Sequence, residues 1–125
     1  AYSENLKTII DLKSCRTANY YAMSSACWEY GYMSQAAWYL EGARSCGLDV
    51  ENYVLVCTEK EPPHCTRVWL LDPEDIALAA NQNTDLLKKI HACKVTGQWP
   101  GYPSLAEPLR LPQYAIETLK SQYGV

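Results

Sequence analysis

The sequence predicts an α/β domain built on a mixed sheet flanked by helices, and three features predict it. Residues 6–13 (Leu-Lys-Thr-Ile-Ile-Asp-Leu-Lys) carry a short strand pattern, residues 53–57 (Tyr-Val-Leu-Val-Cys) form a continuous apolar run, and helical patterns lie between and after them. Strands that alternate with helices lead to parallel or mixed sheets, because each crossover lays its helix on a sheet face. A chain of 125 residues is ordinarily one domain and buries roughly two-thirds of its unfolded surface, so residues 1–125 are expected to share one core.

Side chains alternate across a strand, which turns Ile9, Asp11 and Lys13 to one face and Thr8, Ile10 and Leu12 to the other. Residues 19–29 read as a short helix rich in Tyr and Ala. Gly31 separates it from a longer helix reaching about Cys46, with Gly47 as its cap. The apolar run of 52–59 fits a strand covered on both faces. Pro62-Pro63 forces a turn that includes His64, and residues 65–71 alternate Thr66, Val68 and Leu70 against Arg67, Trp69 and Leu71, as expected of an antiparallel return strand. Asp72-Pro73-Glu74-Asp75 is a helix start: an N-cap carboxylate, Pro at the first helical position and acids in the first turn. This helix should run to about Cys93. Its Ile76, Leu78, Ala79, Leu86, Leu87 and Ile90 should pack on the sheet, with Lys88, Lys89 and Lys94 near its negative end and His91 as a helix-end residue. From about residue 97 the tail is rich in Pro and aromatic residues. Trp99-Pro100-Gly101-Tyr102-Pro103 has too many breakers for regular structure and is expected to cover the core. From Pro112 a final helix carries Tyr114, Ile116, Leu119 and Tyr123 as an apolar stripe.

A net charge of -3 argues against a general nucleic-acid coat protein, since phosphate binding leans on Lys and Arg. It leaves room for positive charge concentrated in a channel, for which Lys7, Lys13, Arg16 and Arg67 are the candidates. None of the six cysteines (Cys15, Cys27, Cys46, Cys57, Cys65 and Cys93) forms a Cys-x-x-Cys pair. Several sit in apolar patterns where a free thiol behaves as a small hydrophobe, so reduced cytosolic thiols are expected ahead of disulfides, zinc or an iron-sulfur cluster. No signal peptide is visible, and no apolar run reaches the ~20 residues that a membrane span requires.

Asp11 and Lys13 carry the strongest chemical signal. A carboxylate and an ammonium on one face of a strand end suit metal-assisted phosphodiester cleavage: the carboxylate holds a divalent cation and the ammonium orients water or steadies charge on phosphate. A surface salt bridge is the plainer reading of the same tripeptide. Gln35 and Tyr39 are one turn apart on the second helix and share a face. Beside small helix formers such as Ala36 and Ala37, Gln35 is either a buried hydrogen-bonding group or part of a site.

Four motifs in order, Ile9-Ile10-Asp11-Leu12-Lys13-Ser14, Tyr30-Gly31-Tyr32-x-x-Gln35-Ala36-Ala37-x-Tyr39, Glu59-Lys60-Glu61-Pro62-Pro63 and Gly97-Gln98-Trp99-Pro100-Gly101-Tyr102, resemble the nuclease domain of the exonuclease VIII family. That family belongs to the PD-(D/E)XK nucleases, on the branch related to RecB-type enzymes. The resemblance implies a restriction-endonuclease-like core and a DNA exonuclease of recombination type that depends on Mg2+ or Mn2+. It makes Asp11 the metal-binding acid of the second motif, Lys13 the catalytic lysine and the Leu12 carbonyl a further metal contact. Gln35 and Tyr39 match the family's Gln-x-x-x-Tyr motif beside the active site and DNA, and Glu59 is assigned a supporting role from the next strand.

The family's first metal-binding Asp would fall at or before Ala1. The sequence is therefore expected to lack the N-terminal helix and the first hairpin strand, with Glu4 in the hairpin turn, and to be a fragment with an exposed sheet edge that invites pairing. An N-terminal fragment of the same protein or another copy would complete it. The resemblance further implies a cytoplasmic, phage-type recombination nuclease that assembles as a ring on DNA and hands single strands to an annealing protein. The alternative is a non-catalytic remnant that keeps the fold as a DNA-binding or assembly module.

Overall fold

The computed structural model describes residues 1–124. Strand β1 (Tyr2–Ser3) and strand β2 (Thr8–Cys15) form a hairpin; helices α1 (Tyr20–Glu29) and α2 (Tyr32–Ser45) cross over to β3 (Asn52–Glu59); β4 (Thr66–Leu70) returns; and helices α3 (Pro73–Thr96) and α4 (Gln113–Tyr123) follow. The sheet order is β1-β2-β3-β4. The central β2/β3 pair is parallel, and the pairs at each edge are antiparallel. This is the mixed sheet flanked by helices that the sequence predicts. The expectation that the first hairpin strand is missing is corrected: it is present as the two residues of β1, and Glu4 and Lys7 close its turn through a backbone hydrogen bond of 3.1 Å.

Local chemistry sets the helix ends. The Asn19 side chain accepts from the Ala22 amide at 2.9 Å, and the Asp72 carboxylate accepts from the Glu74 amide at 2.8 Å, with Pro73 following at a position that needs no N–H. Between α1 and α2 the chain turns at Gly31 with φ of 66°, a left-handed conformation that residues with a Cβ adopt only under strain.

The register of the parallel pair sets Ile9 beside Tyr53, Asp11 beside Leu55 and Lys13 beside Cys57. Tyr53, Leu55 and Cys57 are completely buried and, with Ala36 and Leu40 of α2, Met23 of α1 and Leu71, form one core on that face. Ala36 and Leu40 are the residues that α2 buries in this core.

The opposite face carries Ile10 and Leu12 of β2, Val54 and Val56 of β3, and Val68 and Leu70 of β4. Among the described residues no helix covers it: Leu12 is 76% exposed and Leu70 65%. The expectation that β3 is covered on both faces is therefore corrected. Its run is unbroken in hydrophobicity, yet burial alternates along it, because one layer of helices covers only one face.

Helix α3 also differs from expectation. It packs on α2 rather than on the sheet, and only Ala79 and Asn83 on it are buried. Asn83 donates to the Ser34 carbonyl at 3.0 Å and accepts from the Ser34 hydroxyl, so a polar pair holds the two helices together. Leu78, Leu86, Leu87 and Ile90 remain exposed.

The tail around Trp99 and Tyr102 covers no core, both residues being exposed, and α4 buries none of its residues. The total accessible surface is 10019 Å², where a compact 14.1 kDa chain would expose about 6,700 Å². The open sheet face and the tail contribute to this excess.

The two faces should respond differently to truncation. Leu55→Ala should lower the unfolding free energy by about 2–5 kcal/mol, whereas Val68→Ala should change it by less than about 0.5 kcal/mol. Urea unfolding of both variants checks this.

Candidate active site

The core-facing side of β2 carries Asp11 and Lys13, ahead of Cys15. Their side chains are 19% and 18% exposed, and Lys13 Nζ lies 2.9 Å from Asp11 Oδ2. A pair this withdrawn from water needs further hydrogen bonds to offset its desolvation, and the surrounding elements supply them. Lys13 Nζ donates to Gln35 Oε1 at 2.8 Å and lies 4.6 Å from the centre of the Tyr32 ring, within cation–π range. Because an ammonium only donates, the Gln35 amide must turn its oxygen to Lys13. Its nitrogen then faces Tyr39, to whose hydroxyl it donates at 3.2 Å. On the other side, the Tyr53 hydroxyl donates to Asp11 Oδ2 at 3.1 Å, and the Tyr53 and Tyr39 rings lie 6.3 Å apart. A continuous polar chain thus runs Tyr39–Gln35–Lys13–Asp11–Tyr53 across α2, β2 and β3.

Asp11, Lys13, Gln35 and Tyr39, four residues singled out from the sequence, are brought together. Leu12 points its side chain to the opposite, open face, but its carbonyl is placed differently. Ile10 exchanges backbone hydrogen bonds with Ala1 at 2.7 Å, while the carbonyls of Lys7 and Cys15 accept from the β3 side. Even-numbered residues of β2 therefore aim their backbone polar groups outward. β1 reaches only to Ile10, so the Leu12 carbonyl faces the open sheet edge next to Asp11.

Glu59 lies outside the cluster. It faces the same side one pair beyond Lys13, opposite Cys15, but its carboxylate accepts from the Ala18 amide at 2.8 Å, fastening the loop between β2 and α1. Lys7 is likewise corrected as a channel candidate. It pairs with Asp49 and Glu51 at 2.8 and 2.9 Å at the far end of β2, and these two carboxylates raise its pKa. Arg67 does share the site's face, in one row with Lys13 and Cys57 across the sheet, its guanidinium 3.9 Å from the Trp69 ring centre.

Sequence reasoning missed two members of the cluster, Tyr32 and Tyr53. Tyr53 opens an apolar run and is the one residue of that run with a polar tip. Only the β2/β3 register puts that tip on Asp11. Burial, then the charge of Asp11 and the hydrogen bond to it, push the Tyr53 phenol well above its ordinary value, so it stays a donor. Burial is also the first cause of the raised values of Tyr32 and Cys15, and it pushes the Cys57 thiol up to about 11. All six cysteines are free.

Among the described residues no group of three or more His, Cys, Asp or Glu is placed to hold a metal. The site itself offers two oxygen donors. Asp11 Oδ1 receives no hydrogen bond from the described residues, since Lys13 and Tyr53 both engage Oδ2, and the Leu12 carbonyl faces the open edge. One carboxylate, a carbonyl, waters and substrate phosphate oxygens form a set that suits Mg2+. The residues present fit such an ion.

The mixed sheet with its carboxylate–lysine pair defines a PD-(D/E)XK-like domain, a fold suggestive of nuclease-type function. The chain belongs to the family described as a PDDEXK-like domain of unknown function (DUF3799), whose model matches residues 1–112. Helix α4 lies beyond that match. No curated protein matches the chain. No helix among the described residues is long and apolar enough to cross a membrane.

The buried thiol and phenol give a signed pH dependence. Folded Cys57 holds its proton to about 11 against an ordinary 9.0, and Tyr53 is shifted the same way. The unfolded chain therefore loses protons first, and stability falls as pH rises. Urea midpoints should be level up to about pH 8.5 and decline between about 9 and 11. Cys57→Ala should make that decline shallower.

Proposed function

We propose that this chain carries the catalytic lysine and one metal-binding acid of a magnesium-dependent DNA exonuclease acting on linear DNA. One observation carries the reading: the Lys13 ammonium is fixed between Asp11 Oδ2 at 2.9 Å and Gln35 Oε1 at 2.8 Å, beside two oxygen donors that fit a hard cation. Family membership over residues 1–112 supports it.

Asp11 Oδ1 and the Leu12 carbonyl would hold the cation, Mg2+ or in its place Mn2+, which supplies positive charge to the scissile phosphate and acidity to a water. Lys13 would orient an attacking water and steady charge on the phosphate. Gln35 holds the ammonium through its amide oxygen at 2.8 Å, and Tyr39 in turn holds Gln35. Arg67, in the same row of the sheet, gives the DNA backbone a contact on the same face. With one carboxylate at the site, a second acidic donor would come from an N-terminal segment of the same protein or from a neighbouring copy, paired along the open edge of β2 beyond Ile10. Assembly as a homo-oligomer around DNA, delivery of strands to a single-strand annealing protein, a phage recombination setting and a cytoplasmic location belong to the same reading.

The single carboxylate favours one other reading, a DNA-binding or assembly module that retains the fold without catalysis. The two part on metal dependence. With Mg2+, linear duplex DNA should be cleaved, and Lys13→Ala should slow cleavage by about 100-fold or more while leaving the fold intact by circular dichroism. Wild-type rates in Lys13→Ala would remove Lys13 from the mechanism. Absence of both cleavage and any Mg2+ effect on melting would favour the module.

A further inference from the structure

We infer that Tyr53 is a positioning residue for metal binding, its hydroxyl fixing the Asp11 carboxylate so that Oδ1 alone is presented to the cation. The inference rests on the reading of Asp11 as a metal ligand. A carboxylate on a strand rotates about two torsions, and either oxygen can turn outward. Here that freedom is removed from two sides, because Oδ2 accepts from Lys13 Nζ at 2.9 Å and from the Tyr53 hydroxyl at 3.1 Å.

The two donors differ in kind. Lys13 is a flexible ammonium with further partners in Gln35 and Tyr32, and the proposed chemistry gives it work of its own. Tyr53 is completely buried, held by the β3 register and stacked near Tyr39, and its hydroxyl donates to Asp11 alone. It thus keeps the carboxylate oriented when Lys13 turns toward water or phosphate. Hydrogen-bond partners of ligating carboxylates typically matter by about 10–100-fold in metal affinity or activity. The rigid phenol sets the ligand's direction.

The test is a Mn2+ titration of the 15N-labelled protein, read from paramagnetic broadening of the Asp11, Leu12 and Lys13 amides, with no substrate present. Tyr53→Phe keeps the ring and its packing. It should raise the midpoint of broadening about 10-fold, while Tyr2→Phe, which removes the hydroxyl bound to the Asp49 carbonyl, should leave it unchanged. A midpoint for Tyr53→Phe within twofold of wild type overturns the inference and leaves Asp11 as a ligand. Absence of broadening at these amides in the wild type overturns Asp11 as a ligand, and this inference with it. If Tyr53→Phe does not fold, Mg2+ is titrated into wild-type protein labelled with 13C at tyrosine Cζ. The Tyr53 signal should move with the same midpoint as the Asp11 amide, and a stationary Tyr53 signal overturns the inference.

Discussion

The parallel pairing of β2 with β3 is the constraint on which the rest depends. It sets Asp11 beside Leu55 and Lys13 beside Cys57, so two charged side chains inherit the dry side of the sheet from the most buried residues of the chain. A slip of one residue would turn both charges to the open face and bring Leu12 inward. The crossover that a parallel pair requires delivers α2, and with it Tyr32, Gln35 and Tyr39, onto the same end of the strands. Topology and site follow from the same pairing.

A sequestered ion pair contributes little to stability by itself, because desolvation offsets its attraction. Its value here is directional. Lys13 has a carboxylate, an amide oxygen and an aromatic face around it, and Asp11 has an ammonium and a phenol on one oxygen. Tyr53 is anchored in the core, and Gln35 and Tyr32 are anchored on α2. The outer side of the same strand is the reverse. There the backbone of Leu12 has no partner on the β1 side among the described residues, which suits a place where substrate, ion or another strand must approach.

Elements whose causes are local were legible in the sequence. The caps at Asn19 and Asp72 and the break at Gly31 mark helix boundaries through side chains and φ values a few residues away, and 52–59 carries its own strand signal. Asp11, Lys13, Gln35 and Tyr39 were found because motif spacing stands in for register. What could not be read depends on partners distant in the chain. An unbroken apolar run does not reveal whether two layers or one will cover it, so β3 was assigned a second covered face. Apolar periodicity placed α3 on the sheet, whereas the pair that seats it, Asn83 with Ser34, is polar. Tyr53 resembled any strand aromatic until its hydroxyl met Asp11, and the Glu59 carboxylate proved to be a fastener for the Ala18 loop.

The uncovered sheet face also bears on the thermodynamics of melting. Heat capacity rises on unfolding mainly because apolar surface becomes hydrated, at about 12–15 cal/mol/K per residue for ordinary domains. In this chain the side chains of Leu12, Val68 and Leu70 are largely hydrated before unfolding begins. The increment left to gain is smaller, so the stability curve is flatter than its length alone would set. The protein exchanges a sharp stability optimum for a shallow one spread over a wider span of temperature, and anything that covers this face would restore the curvature.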